Sequence, residues 1–219
     1  MDSDDILNTL EAAEKLFSVM NELGKSIASN VTPEDIKDIV LFHSKGAAAA
    51  GVASGWVPGA GGTIAAVTSA GFIWSMYLRI NDKIGLSVSE NILKTLASGV
   101  ATNLAAYAVG SIAITTVLSF LPFIGNVGAS VIAGSIAFAI TIVSAGVYLT
   151  MLTKIFQAKH RDINEMSADD LKDLAKEVID NNDVESALKQ ARNVYEKEHK
   201  EHKEHKEHKE HKEHKEHKE

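Results

Sequence analysis

From Thr95 to Thr153 the chain carries no charged residue, and the run is bracketed by Lys94 and Lys154. A helix that crosses a bilayer needs ~20 mostly apolar residues, so the run has room for two. A break at Leu121-Pro122-Phe123-Ile124-Gly125-Asn126 supplies the turn between them. Pro122 fixes one backbone dihedral there and Gly125 permits a positive one. Two packings can cover so long an uncharged hairpin: a bilayer, or a tightly packed soluble bundle. Its length favours the membrane.

Composition agrees with a helical reading. Hydrophobic residues make up 45% of the 219 and aromatics only 6%, so the apolar content is mainly Ala, Val, Leu and Ile. The formal charge of -7, with no gathered lysines or arginines, excludes a nucleic-acid footprint. The absence of cysteine excludes disulfides, thiolate metal sites and a cysteine nucleophile. The acidic start Met1-Asp2-Ser3-Asp4-Asp5 is unlike the basic start of a secretory signal, so no cleaved export signal is expected.

Ahead of the hairpin, Ile6, Leu10, Ala13, Phe17 and Met20 recur at steps of four and three within Asp4 to about Ala28. This spacing predicts an amphipathic helix that packs on its own domain, on a partner or on a membrane surface. Its acidic polar face disfavours the last. Gly24-Lys25-Ser26 resembles the end of a phosphate-binding loop, but Val19 stands where that loop needs glycine. Thr32-Pro33-Glu34-Asp35 starts a second helix with a capping hydroxyl, Pro in the first turn and acids at the positive dipole end. Ile36, Ile39, Val40 and His43 share one of its faces, and His43 reads as a hydrogen-bonded interfacial residue rather than a ligand or base.

A second charge-free run, Gly46 to Leu78, is divided by Trp56-Val57-Pro58-Gly59-Ala60-Gly61-Gly62, with Pro58 and Gly61 as turn residues. The arm from Ala47 to Val57 is too short to span a bilayer unless the second helix enters it without a break. Gly51 and Gly55 form a G-x-x-x-G pair that lets helices approach closely. Arg79, Asp82 and Lys83 close the run as a solvated collar, Gly85 ends the helix, and Ser87 or Ser89 before Glu90 begins the next.

Inside the longer run, small side chains fall into two stripes. Gly99, Asn103, Ala106, Gly110 and Ala113 form one; Ser130, Ala133, Ala137, Thr141 and Ser144 form the other. Their facing positions predict that these two helices pair with each other, with Asn103 contributing an interhelical hydrogen bond. The two turns share the pattern apolar-Pro-x-x-Gly, which makes the hairpins an internal repeat and a four-helix unit.

Beyond the apolar core, Lys154, His160, Arg161 and Asp162 return the chain to water. Lys25, Lys37, Lys45, Lys154 and Arg161 flank the core on the side of both termini, which places those termini in the cytoplasm under the positive-inside tendency. Ser167-Ala168-Asp169-Asp170 reads as a capping box for a helix through Val178 and Ile179, Asn181-Asn182-Asp183 breaks it, and a short helix carrying Leu188 follows.

Residues Glu198 to Lys218 are seven copies of Glu-His-Lys, followed by Glu219. Without apolar side chains the tail can bury nothing. Its histidines, His199, His202, His205, His208, His211, His214 and His217, are candidate ligands for weakly bound Zn, Ni or Fe. A purely solvated repeat and a pH-responsive charge are the other readings. No cofactor is required by any motif.

Several stretches resemble one family. These are Trp56-Val57-Pro58-Gly59-Ala60-Gly61, Met76-Tyr77-Leu78-Arg79-Ile80 with Ile84-Gly85, Glu90-Asn91-Ile92-Leu93-Lys94, and Leu121-Pro122-Phe123-Ile124-Gly125. Over Gly46 to Phe156 they resemble the GTPase-associated domain of unknown function of YcjF-type inner-membrane proteins, also found after the G domain of Era-like GTPases. The resemblance implies a helical, membrane-associated module working beside a GTPase. This chain has no G domain, so that GTPase would be a separate partner.

The sequence therefore predicts an all-α protein: two apolar hairpins forming a membrane-associated bundle, flanked by amphipathic helices. Its parts are an amphipathic region at 1–45, the double hairpin at 46–156, charged helices at 157–197 and the repeat tail at 198–219. The expected role is non-enzymatic, because no catalytic set is present. It is a scaffold or membrane-organising factor with lipids, a GTPase or further copies of itself as partners. The alternatives are metal handling through the tail and a pore-forming effector that inserts from a soluble bundle.

Overall fold

The computed structural model describes residues 4–23, 30–54, 61–112, 125–158, 163–197 and 199, and these are α-helical with no strand among them. The elements are α1 (Asp4–Glu22), α2 (Pro33–Ser54), α3 (Gly61–Ile84), α4 (Glu90–Ile112), α5 (Gly125–Gln157) and α6 (Ala168–Asp180), with a short 3-10 turn at Ile163–Glu165. A last helix, α7, covers 184–197.

The helix ends follow from local chemistry. At the start of α2, the Thr32 amide and hydroxyl both donate to the Asp35 carboxylate, at 2.8 and 3.0 Å, while the Asp35 amide donates to Thr32 Oγ1 at 3.3 Å. α3 ends at Gly85, whose φ of 75° only glycine adopts cheaply. The Leu86 amide there reaches back to the Asn81 carbonyl at 2.8 Å, and the Gly85 amide to that of Asp82 at 3.3 Å. That pattern is a Schellman motif. Ser167 and Asp170 form the reciprocal capping box of α6, and Asp183 caps α7 by accepting the Ser186 amide at 3.2 Å.

Register contacts give the helix directions. Asp35 meets Lys83 at 3.0 Å, His43 meets Ser75 at 3.3 Å, and the Phe72 ring lies against Gly46, so α2 and α3 run antiparallel. Tyr77 bonds the Ser144 carbonyl and Tyr148 bonds Asn81, so α3 and α5 run parallel. Gly99 meets Lys172 and Tyr107 meets Asp180, so α4 and α6 run parallel. The contacts Lys154–Glu177 and Phe138–Tyr195 carry α6 and then α7 along α5 in the opposite sense. The 3-10 turn is clipped to the α3–α4 connection by Asn164, which donates to the Ser87 carbonyl at 2.8 Å and accepts from the Ser89 amide at 3.2 Å.

α5 is the axis of this arrangement and packs on α1, α2, α3, α4 and α6. Among the described residues it is the one helix long and apolar enough to cross a membrane, and 72% of its most apolar stretch is buried. Two expectations change here, while α2 continues through Lys45 and Gly46 into the Ala-rich arm without a break, the continuous case that the sequence left open. The amphipathic helices coat α5 rather than flank a separate hairpin unit. In α1, Thr9, Ala13, Leu16 and Met20 are buried while Leu10 and Phe17 lie at the edge. α1 leans on both α5 and α2, which turns its covered face toward Leu16.

Candidate functional site, an enclosed apolar helix

α5 is held against α2 by shape. A Cβ added at Gly51 would lie 2.8 Å from the Ala133 carbonyl oxygen and 3.1 Å from Ala137 Cβ. One added at Gly134 would lie 2.6 Å from Val52 Cγ2, 2.9 Å from Tyr195 Oη and 3.1 Å from the Ala48 carbonyl oxygen. The two backbones approach as closely as glycine allows. Such contact relies on dispersion and works equally in water and in lipid.

Against α3 the hold is chemical. Tyr77 and Tyr148 stack with ring centres 4.0 Å apart, and both are fully buried. Each hydroxyl crosses to the other helix: Tyr77 donates to the Ser144 carbonyl at 3.0 Å, and Tyr148 to Asn81 Oδ1 at 2.7 Å. Four other hydroxyls of α5 bond within it. Ser135 donates to Ile132, Thr141 to Ala137, Ser144 to Thr141 and Thr153 to Leu149, at 2.7 to 2.9 Å. Tyr148, unlike these four, depends on another helix.

Among the described residues, the central positions of the two small-residue stripes face other helices rather than each other. Ala133 and Ala137 face Gly51 of α2. Gly99 instead faces α6, where an added Cβ would meet only the Lys172 stem at 3.6 Å. Asn103 is half-buried beside Lys172 rather than at depth, and Ala106 is exposed. The physical reason is that α6 covers the small face of α4, leaving the α5 stripe for α2. Gly110 lies within α4, and Gly61 and Gly125 are the first residues of α3 and α5. Gly55, Pro58, Ala113 and Pro122 lie outside the described residues, as do His202, His205, His208, His211, His214 and His217. His199 is exposed and stacks on the Tyr195 ring at 5.9 Å.

Charge collects where α5 ends and on the outer faces of its coat. Lys154 pairs with Glu177 at 2.7 Å. The backbone hydrogen bond at Thr32, followed by Lys83, holds the Asp35 carboxyl below its ordinary range. His43 donates from Nδ1 to the Ile39 carbonyl at 2.7 Å, which leaves Nε2 to accept from Ser75. Burial holds its pKa below the usual imidazole value. Glu11, Glu14 and Lys15 of α1, most acids and lysines of α6, and Glu185 and Lys189 of α7 point outward. Among the described residues no three His, Asp or Glu side chains gather as a metal site.

Sequence reasoning missed the Tyr77–Tyr148–Asn81 cluster and the role of Tyr195. The available signal was the four-residue step from Tyr77 to Asn81, which places both on one helical face. No family model, curated protein or solved structure matches the chain.

Proposed function

We propose that the chain is a non-enzymatic membrane-inserting protein, stored as a bundle around α5 and entering a bilayer from its uncharged end. The enclosure of α5 carries this reading: a membrane-length helix with no charge before Lys154 is walled in by helices with charged outer faces. Glu11 and Lys15 sit beside Ile142, Val143 and Val147, far along α5 from Lys154. If α5 spanned a bilayer with this coat in place, such charges would lie at depth, where each costs ~2.5–3.5 kcal/mol. The bundle as folded therefore suits water, and α5 suits lipid once α1 and the α6–α7 strap have left it.

Two further features favour entry. The carboxyl ends of α2 and α4 and the amino ends of α3 and α5 share one end of the bundle, and no charged residue occurs from Gly46 to Leu78 or from Thr95 to Thr153. The hydroxyls satisfied within α5 would strand no donor in hydrocarbon. This places the insertion-competent reading ahead of a scaffold that is embedded throughout its life. A separate GTPase, implied by the family resemblance, is the partner that would trigger or position entry, and the termini stay on the side of arrival.

Vesicle flotation followed by an alkaline carbonate wash tests the reading. The expected result is a wash-resistant fraction in which protease cuts α1 and α6–α7 but spares α5. Protein that stays in the soluble fraction with any lipid composition would overturn it.

A further inference from the structure

The coat over α5 is not closed. Between α1 and the α6–α7 strap lies a cleft of about 410 Å³, floored by Ile142, Val143, Gly146 and Val147 and walled by Ala12, Ala187 and Ala191. A Cβ added at Gly146 would find no atom within 4 Å, so the floor is empty where a side chain would stand. The volume falls in the ~300–1,000 Å³ range of small-molecule sites. We propose that this cleft binds one linear aliphatic chain, supplied by a free fatty acid or by the acyl chain of a lipid.

Shape and lining select that class. From Ile142 to Thr150 the floor covers nine residues, or ~12 Å of helix, so the cleft runs along more than two turns of α5. Among the described residues no aromatic ring lines it, so none of them offers a stacking surface to a flat ligand. The polar groups Thr9, Glu11, Lys15, Thr150, Asn182 and Asp183 line the same cleft, around the apolar floor. Asp183 is already engaged as the cap of α7, and Lys15 is an exposed cation one helical turn from Glu11, so the aliphatic chain rather than the headgroup carries the recognition and the headgroup is left to the titration.

Calorimetric titration of the full chain with n-alkyl carboxylates and n-alkyl glucosides of increasing length, kept below their aggregation concentrations, tests the site. Affinity should rise about fourfold per added methylene and fall at least tenfold in Gly146→Leu, which fills the floor. Ala187→Leu, from the opposite wall, repeats the test if Gly146→Leu fails to fold. Carboxylates bound at least tenfold more tightly than glucosides identify a free fatty acid as the source. Equal binding identifies recognition of the chain alone, as in a lipid. Affinity independent of chain length, or full affinity in a folded filled variant, overturns the proposal. Membrane entry and this binding fail independently, because the titration uses no vesicle.

Discussion

The contact between α2 and α5 can be separated from the expected contact between α4 and α5 by two glycine substitutions. Ala replaces Gly in a helix interior with a propensity gain of ~1 kcal/mol, and that gain is common to Gly51→Ala and Gly99→Ala. The surroundings differ. At position 51 the new methyl would stand 2.8 Å from the Ala133 carbonyl oxygen and 3.2 Å from its carbonyl carbon, which are backbone atoms and cannot turn aside. At position 99 its nearest neighbour is a flexible lysine stem at ordinary contact distance, 3.6 Å. Overpacking in a dense core costs ~1–3 kcal/mol, so Gly51→Ala should be less stable than Gly99→Ala by about that amount. For a chain of this size each kcal/mol moves the melting midpoint by ~2–4 °C. Urea and thermal unfolding followed by far-ultraviolet circular dichroism measure the gap directly, and the shared propensity term cancels in it. If Gly51→Ala were as stable as Gly99→Ala, the close α2–α5 seam would be wrong. If Gly99→Ala were the less stable of the two, α4 would be the true partner of that stripe.

Other perturbations reach the remaining contacts. Tyr148→Phe leaves Asn81 Oδ1 buried without its donor and should cost ~1–3 kcal/mol, while Tyr148→Phe combined with Asn81→Leu should recover much of the loss; equal instability in the double variant would argue against the pair. Ser167→Ala removes the α6 capping box and should cost ~1 kcal/mol in urea unfolding. His43 has a lower pKa folded than unfolded, so its contribution is fully present above the unfolded value of ~6.5 and is lost as pH falls toward the folded value, where the unfolded chain takes up the proton first. In His43→Gln the decline of stability as pH falls below ~6.5 should be shallower than in the wild type. Nickel or zinc uptake by calorimetry should be present in the full chain, absent from a chain ending at Tyr195, and weakened by acid as imidazoles protonate.

Much of the fold was legible because its signals are local. Thr32-Pro33 and Ser167 through Asp170 marked helix starts by capping chemistry, and Gly85 marked a stop, where the structure has its φ at 75°. The interfacial place of His43 followed from its face on α2. Which helix would meet which was not legible, because small-residue stripes carry no address. Ala133 and Ala137 fit Gly51 as well as they would have fitted Gly99, and the choice was made by α6, whose capped amphipathic face covers α4 from far along the chain. The candidate site was half visible in the same way. The charge-free length of α5 stood out, but its enclosure depends on α1, α6 and α7, whose own patterns say only that each has one apolar side.

The way α5 is held bears on how it could leave. Its seam with α2 consists of backbone and methyl contact, which a lipid tail can replace with little difference in dispersion energy. Its seam with α3 includes the Tyr148–Asn81 bond, whose loss in hydrocarbon would leave a hydroxyl and an amide without partners. Release from α2 is thus nearly neutral in lipid, whereas release from α3 is opposed. The asymmetry favours α3 and α5 moving into a bilayer as a parallel pair joined by the stacked tyrosines, with α2 free to separate. A cysteine pair placed across α3 and α5 should then permit vesicle entry when oxidised, since the natural chain has no cysteine to interfere. The same tether across α1 and α5 should block entry until it is reduced, and entry that ignored both tethers would leave no role for the coat.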